Sequence, residues 1–168
     1  MKKTIGLFAL AFVVLTACGP SSRVSEPEDV ADQVMDILED MDDMSKEDFR
    51  DAFMTYDEMQ DLAEDEDVIT DKDARKRMKK VKESELKEDL DKGFARIVEK
   101  GSKHKIKWGE IEFVDFEYEV EKRRGMKACG GKVTFKSGGK KYNMRSVSIY
   151  DGSGYCLVSL SGPYEHRD

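Results

Sequence analysis

Near Lys107 the apolar residues change their period, and that change limits what this chain can fold into more than any other feature. Upstream they recur every three or four residues, the spacing of one face of a helix. Downstream they alternate, as on a strand with one buried side. Helices followed by alternating strands predict an α+β fold in which amphipathic helices pack on one face of an antiparallel sheet. The 168 residues suit one such domain.

In the helical part, Ser25-Glu26-Pro27-Glu28 has capping-box spacing with a first-turn proline. Val30, Val34, Ile37, Leu38 and Met41 then form one stripe. Ser45-Lys46-Glu47-Asp48 is a second start signal, followed by Phe49, Ala52, Phe53, Tyr56 and Met59. The spacing predicts two helices around a short break, then an acidic loop over 61–67. A third region opens at Thr70-Asp71-Lys72-Asp73 and carries Ala74, Met78, Val81, Leu86, Leu90, Phe94, Ile97 and Val98. Its phase breaks between Val81 and Leu86, which predicts a boundary near Ser84. Gly101 is the expected stop.

In the sheet part, Ile111 and Phe113 share one parity, while Val114, Phe116, Tyr118 and Val120 share the other. Both sets reach one face only through an extra residue, so a bulge is expected at 113–115. Val133 and Phe135 begin the next ladder, and Gly138-Gly139 is a two-residue hairpin signal. Tyr142, Met144 and Ser146 follow, then a hairpin from Ile149 to Leu160 around Asp151-Gly152-Ser153-Gly154. The expectation is a four-stranded meander on a curved sheet. The domain would span 26–162, with a helical part over 26–102, a sheet over 106–162 and a polar tail at 163–168.

The N-terminus gives an address. Lys2 and Lys3 precede an apolar run from Ile5 to Leu15, short of the roughly 20 residues that cross a bilayer. The run ends in Leu15-Thr16-Ala17-Cys18, which resembles the lipobox of bacterial lipoproteins. The resemblance implies cleavage between Ala17 and Cys18, removal of residues 1–17 as a signal peptide, and acyl chains on Cys18. Residues 18–25 would then be a lipidated tether. The implied partner is a membrane, reached through the anchor, and the implied location is the cell envelope. Gly19 stands where an inner-membrane retention Asp would be. In a two-membrane organism this favours the outer membrane, and otherwise the outer face of the plasma membrane. The order of elements over 26–162 also resembles the nuclear-transport-factor-2-like and cystatin-like folds, in which a curved sheet wraps a long helix. That resemblance rests on pattern and carries no catalytic residue.

Charge is lopsided within a net of −7. Residues 26–67 carry a net of −17 and residues 71–107 a net of +6. The balance argues against nucleic acid as a partner and for a cationic protein facing the acidic helices. The run Lys72, Arg75, Lys76, Arg77, Lys79, Lys80, Lys82 would face the acidic helices of its own fold, or anionic lipid. Asp32, Asp36, Asp40 and Asp43 share a solvated helix face. Asp65, Asp67, Asp71 and Asp73 approach calcium-loop spacing, but Thr70 sits where such a loop needs Gly and Lys76 where it needs Glu. No metal site and no cofactor is expected.

His104 and His166 stand in no catalytic spacing. Glu110, Glu112, Glu117 and Glu119 fall on a solvent face, and Asp115, at the parity change, is the acid expected to turn inward. Trp108, Phe113, Asp115, Phe116, Tyr118, Phe135 and Tyr142 would line a concave pocket or form the core. Counting outward from the turns sets Cys129 opposite Ser148 and Cys156 opposite Ile149. One strand then separates the two cysteines and they face opposite ways, so no disulfide is expected. The first reading is a non-enzymatic protein-binding or accessory module. The alternative is a small-ligand pocket protein, and an enzyme comes third.

Overall fold

The computed structural model describes residues 23–166. Its sheet has five antiparallel strands: β1 (Arg23–Val24), β2 (Glu112–Arg123), β3 (Met126–Ser137), β4 (Lys140–Tyr150) and β5 (Tyr155–Glu165), ordered β1-β5-β4-β3-β2. Four of them are the expected meander. The fifth, β1, lies in the expected tether and pairs with β5 through Arg23 opposite Cys156 and Val24 opposite Tyr155. The helices are α1 (Val30–Glu39), α2 (Lys46–Asp51), α3 (Tyr56–Glu64), α4 (Lys72–Met78) and α5 (Glu83–His104).

The strand register follows from the turns. Gly138 and Gly139 both take positive φ, the primed two-residue turn, and set Phe135 opposite Tyr142 and Cys129 opposite Ser148. The bulge falls between Phe113 and Asp115, so Phe113 lies opposite Phe135 and Phe116 opposite Val133, on one face. Two further irregularities in β4–β5 add to the bend.

Several expectations need correction. Ser25 makes no capping box; Pro27–Asp29 is a short 3-10 turn whose N-cap is Glu26. The second expected helix is two. Met54 N–H donates to the Leu157 carbonyl at 2.8 Å, pulling the chain out of helix, and Thr55 starts α3 with its own capping box to Glu58. The expected acidic loop begins only at Asp65, because Asp61 lies within α3. Gly101 does not end its helix. α5 runs on to His104 and stops at Lys105, which is left-handed, while Gly101 is where the Trp108 ring presses against the helix. Gly130 and Gly131 lie within β3, where a side chain at Gly131 would strike Phe116. The expected polar tail at 163–168 is strand as far as Glu165, with Tyr164 beneath Lys100 and Arg145.

Helices cover both faces, not one. On the first, Val30, Val34, Ile37 and Leu38 of α1, with Phe49, Phe53 and Ile97, bury Val133, Phe135, Tyr142, Met144 and Leu157. At roughly 1.5–3 kcal/mol per buried large side chain, this cluster is the main core. On the opposite face a smaller cluster joins Met54, Leu62, Ile69 and Ala74 to Cys156, with Met126 and Ile149 against it. Adjacent residues Phe53 and Met54 go to different cores, which is how the chain passes around the β5 edge. Arg75 pairs with Glu66 at 2.7 Å and Lys79 with Glu64 at 3.4 Å, so part of the basic run meets the acids of its own fold.

Candidate functional site

The expected pocket residues do not form a pocket. Trp108, Phe135 and Tyr142 are buried in the main core, their rings 6.0 and 5.7 Å apart in sequence along the stack. Phe116 is half-buried against them, and its ring stacks on Tyr118 at 5.3 Å. Phe113 is 53 % exposed and Tyr118 40 % exposed, on the outermost strand. Asp115 does not turn inward. It is exposed, and its carboxylate accepts the Phe116 amide at 2.9 Å within the bulge. The stripe of α1 occupies the concavity these residues would have lined.

Open space lies instead along α5 from Leu86 to Lys100. The second half seats Phe94, Ile97 and Gly101 against the core, whereas Leu86 and Leu90 alone turn inward before them, both half-buried. One lobe of about 460 Å³ lies between α5 and residues 158–162 of β5, with Phe49 and Phe53 at its floor. A second of about 150 Å³ is walled by Phe53, Met54, Met59, Met78, Met126 and Ile149. Four of the chain's nine methionines therefore meet there. Both lobes share Phe53, Leu86, Leu90 and Val158, so these side chains are the partition between them. A third lobe of about 270 Å³ opens toward Arg50 and Glu83. A Cβ built on Gly93 meets nothing within 4 Å, although the residue lines the largest lobe.

The sequence held two signals for this hollow. Only Leu86 and Leu90 stand inward between Val81 and Phe94, too thin a stripe to seal a helix face. Gly93 sits mid-helix, where it costs about 1 kcal/mol against Ala.

The polar candidates are engaged in structure. Asp65 accepts the amides of Asp67 and Val68, and Asp71 caps α4 through the Ala74 amide. Burial, then repulsion from Asp32 and Asp40, raises the Asp36 carboxyl. The His104 ring packs 5.3 Å from Tyr142, and His166 Nδ1 lies 3.2 Å from the Asn143 side-chain oxygen. Among the described residues, no group of three or more His, Cys, Asp or Glu side chains could hold a metal ion.

Sequence reasoning missed one charged cluster. Arg23 reaches Asp151 at 2.5 Å and Glu58 at 3.4 Å. Burial raises the Asp151 carboxyl, but the Ser153 amide and hydroxyl, the Gly154 amide and Arg23 outweigh it and hold the group near 2. The Cys156 thiol donates to the same carboxylate at 3.5 Å; burial and then Asp151 push it up to about 11.

Cys129 and Cys156 are both buried and free, one in each core, with β4 between them. Burial also raises the Cys129 thiol. Native protein should therefore react with a thiol reagent only at the rate it unfolds. In denaturant without reductant, two thiols besides Cys18 should titrate; finding none would overturn this strand register.

Cys18, Ala17 and the apolar run lie outside the described residues. Among those described, no helix is long and apolar enough to cross a membrane. No family model, curated protein or solved structure matches the chain.

Proposed function

We propose that this chain is a lipid-anchored, non-enzymatic envelope protein that takes an apolar ligand into the hollow beside α5. The hollow carries this reading. Its largest lobe falls within the roughly 300–1,000 Å³ of small-molecule sites, and methionines make an adaptable wall. The open space a Cβ would meet at Gly93 supports this reading. The anchor rests on the lipobox resemblance at Leu15-Thr16-Ala17-Cys18, and outer-membrane placement on Gly19. The long α5 beside a bent sheet is compatible with the cystatin-like and nuclear-transport-factor-2-like resemblance.

Two measurements test the halves separately. Cys18→Ser should leave unprocessed precursor and remove lipid labelling; unchanged mature size and labelling would sink the anchor. An uncharged apolar dye, N-phenylnaphthylamine, should bind saturably to the full chain, and Gly93→Leu should abolish that binding. The substitution fills open space and removes a mid-helix glycine, so it should not lower stability.

A protein-binding reading has its own support in β2. Its outer edge has no strand neighbour among those described, and Phe113, Tyr118 and Val120 are exposed along it. Glu112, Asp115, Glu117, Glu119 and Glu121 alternate with them, which suits a cationic segment. Such association must weaken as salt rises, and salt-indifferent binding would exclude it.

A further inference from the structure

We infer that the ligand of the α5 hollow is a single-chain anionic amphiphile: one long alkyl tail with a negatively charged head, of which a long-chain carboxylate is the simplest form. This rests on the reading of the hollow as a ligand site. Arg96 and Lys100, one helical turn apart on α5, line the largest lobe. Neither has a carboxylate partner within ion-pair distance among the described residues, although acids outnumber bases in the chain. The Lys100 ammonium stands 4.0 Å above the Tyr164 ring, which leaves its charge available. Asp89, the acid on that lobe, already lies 3.9 Å from Lys92. Two cations without a carboxylate partner, at the rim of a mixed lobe floored by Phe49 and Phe53 and adjoining a methionine-walled one, are complementary to an anion whose remainder is apolar.

The shape of the space selects the tail. Phe53, Leu86, Leu90 and Val158 separate the larger lobe from the methionine-walled lobe. A linear alkyl chain can thread between those side chains, whereas a rigid ring system as large as the first lobe cannot. Leu86 and the methionines change rotamer without breaking a hydrogen bond, so the partition yields at low cost. The head stays at Arg96 and Lys100 while the tail lies against Gly93, Leu90 and Phe53.

Displacement of N-phenylnaphthylamine from the full chain tests this, using tetradecanoate and its uncharged counterpart tetradecanol. Tetradecanoate should displace the dye at about tenfold lower concentration, as two partly exposed charge pairs allow. The double variant Arg96→Gln with Lys100→Gln should erase that preference and leave tetradecanol unchanged. Equal displacement by both compounds, or a preference that survives the double variant, would overturn the anionic head while leaving the hollow as an apolar site. Dye binding that Gly93→Leu does not reduce would overturn the hollow itself, and the inference with it.

Discussion

Asp151→Ala is expected to lower unfolding free energy by about 2 kcal/mol at neutral pH, because it leaves Arg23 only its more distant carboxylate, Glu58, and removes the oxygen that accepts the Ser153 and Gly154 amides. The pH dependence carries its own sign. The carboxyl sits near 2 in the folded chain, below its ordinary value of 3.8, so it contributes stability above that ordinary value. The contribution, on the order of 2 kcal/mol, is lost as pH falls from about 4 toward about 2. Urea unfolding of the parent and the variant should therefore give midpoints far apart at pH 7 that approach one another below pH 3. Equal midpoints at pH 7 would show that the cluster contributes nothing.

Trp108→Ala should cost about 4 kcal/mol, because it empties a 3 %-exposed site at one end of the ring stack. Its partner across the contact is Gly101, where an added Cβ would overlap the indole. Gly101→Ala should thus cost about 2 kcal/mol in the parent, overpacking outweighing the better helix former. Without the indole the same change should stabilise by about 1 kcal/mol. The reversal of sign is what a double-mutant cycle would measure. Additive effects would mean that Gly101 is present for another reason.

What the sequence disclosed was local, and what it concealed depended on distant pairs. The helix start at Ser45 was legible because its cap is built from Ser45 and Asp48 themselves, at 3.0 and 3.1 Å. The bulge at 113–115 was legible because parity cannot change without it. The break at Met54 was not, since its cause is a carbonyl more than 100 residues away on β5. Phe53, Tyr56 and Met59 kept helical spacing across it, and so hid it. Strand β1 was missed for the same reason: two residues have no period, and Asp151 and β5 hold them in place. The aromatic residues of 108–142 were recognised as a group, but spacing alone could not tell a lining from a core. That depended on whether α1 filled the concavity. The hollow beside α5 was least legible, being a failure of packing between Leu86, Leu90 and residues far from them in sequence.

The clasp between Arg23 and Asp151 also has a mechanical meaning. Tension applied to the chain ahead of Arg23 enters the folded body at β1, which is held by two residue pairs with β5 and by the contacts of Arg23 with Asp151 and Glu58. So short a ribbon peels in sequence rather than sharing the load, and the eleven-residue β5 stays zipped to β4 behind it. The clasp acts as a fuse. A pull at the N-terminal lead parts Arg23 from Asp151 before it disturbs either core, and slack in the lead lets the same two residues close again.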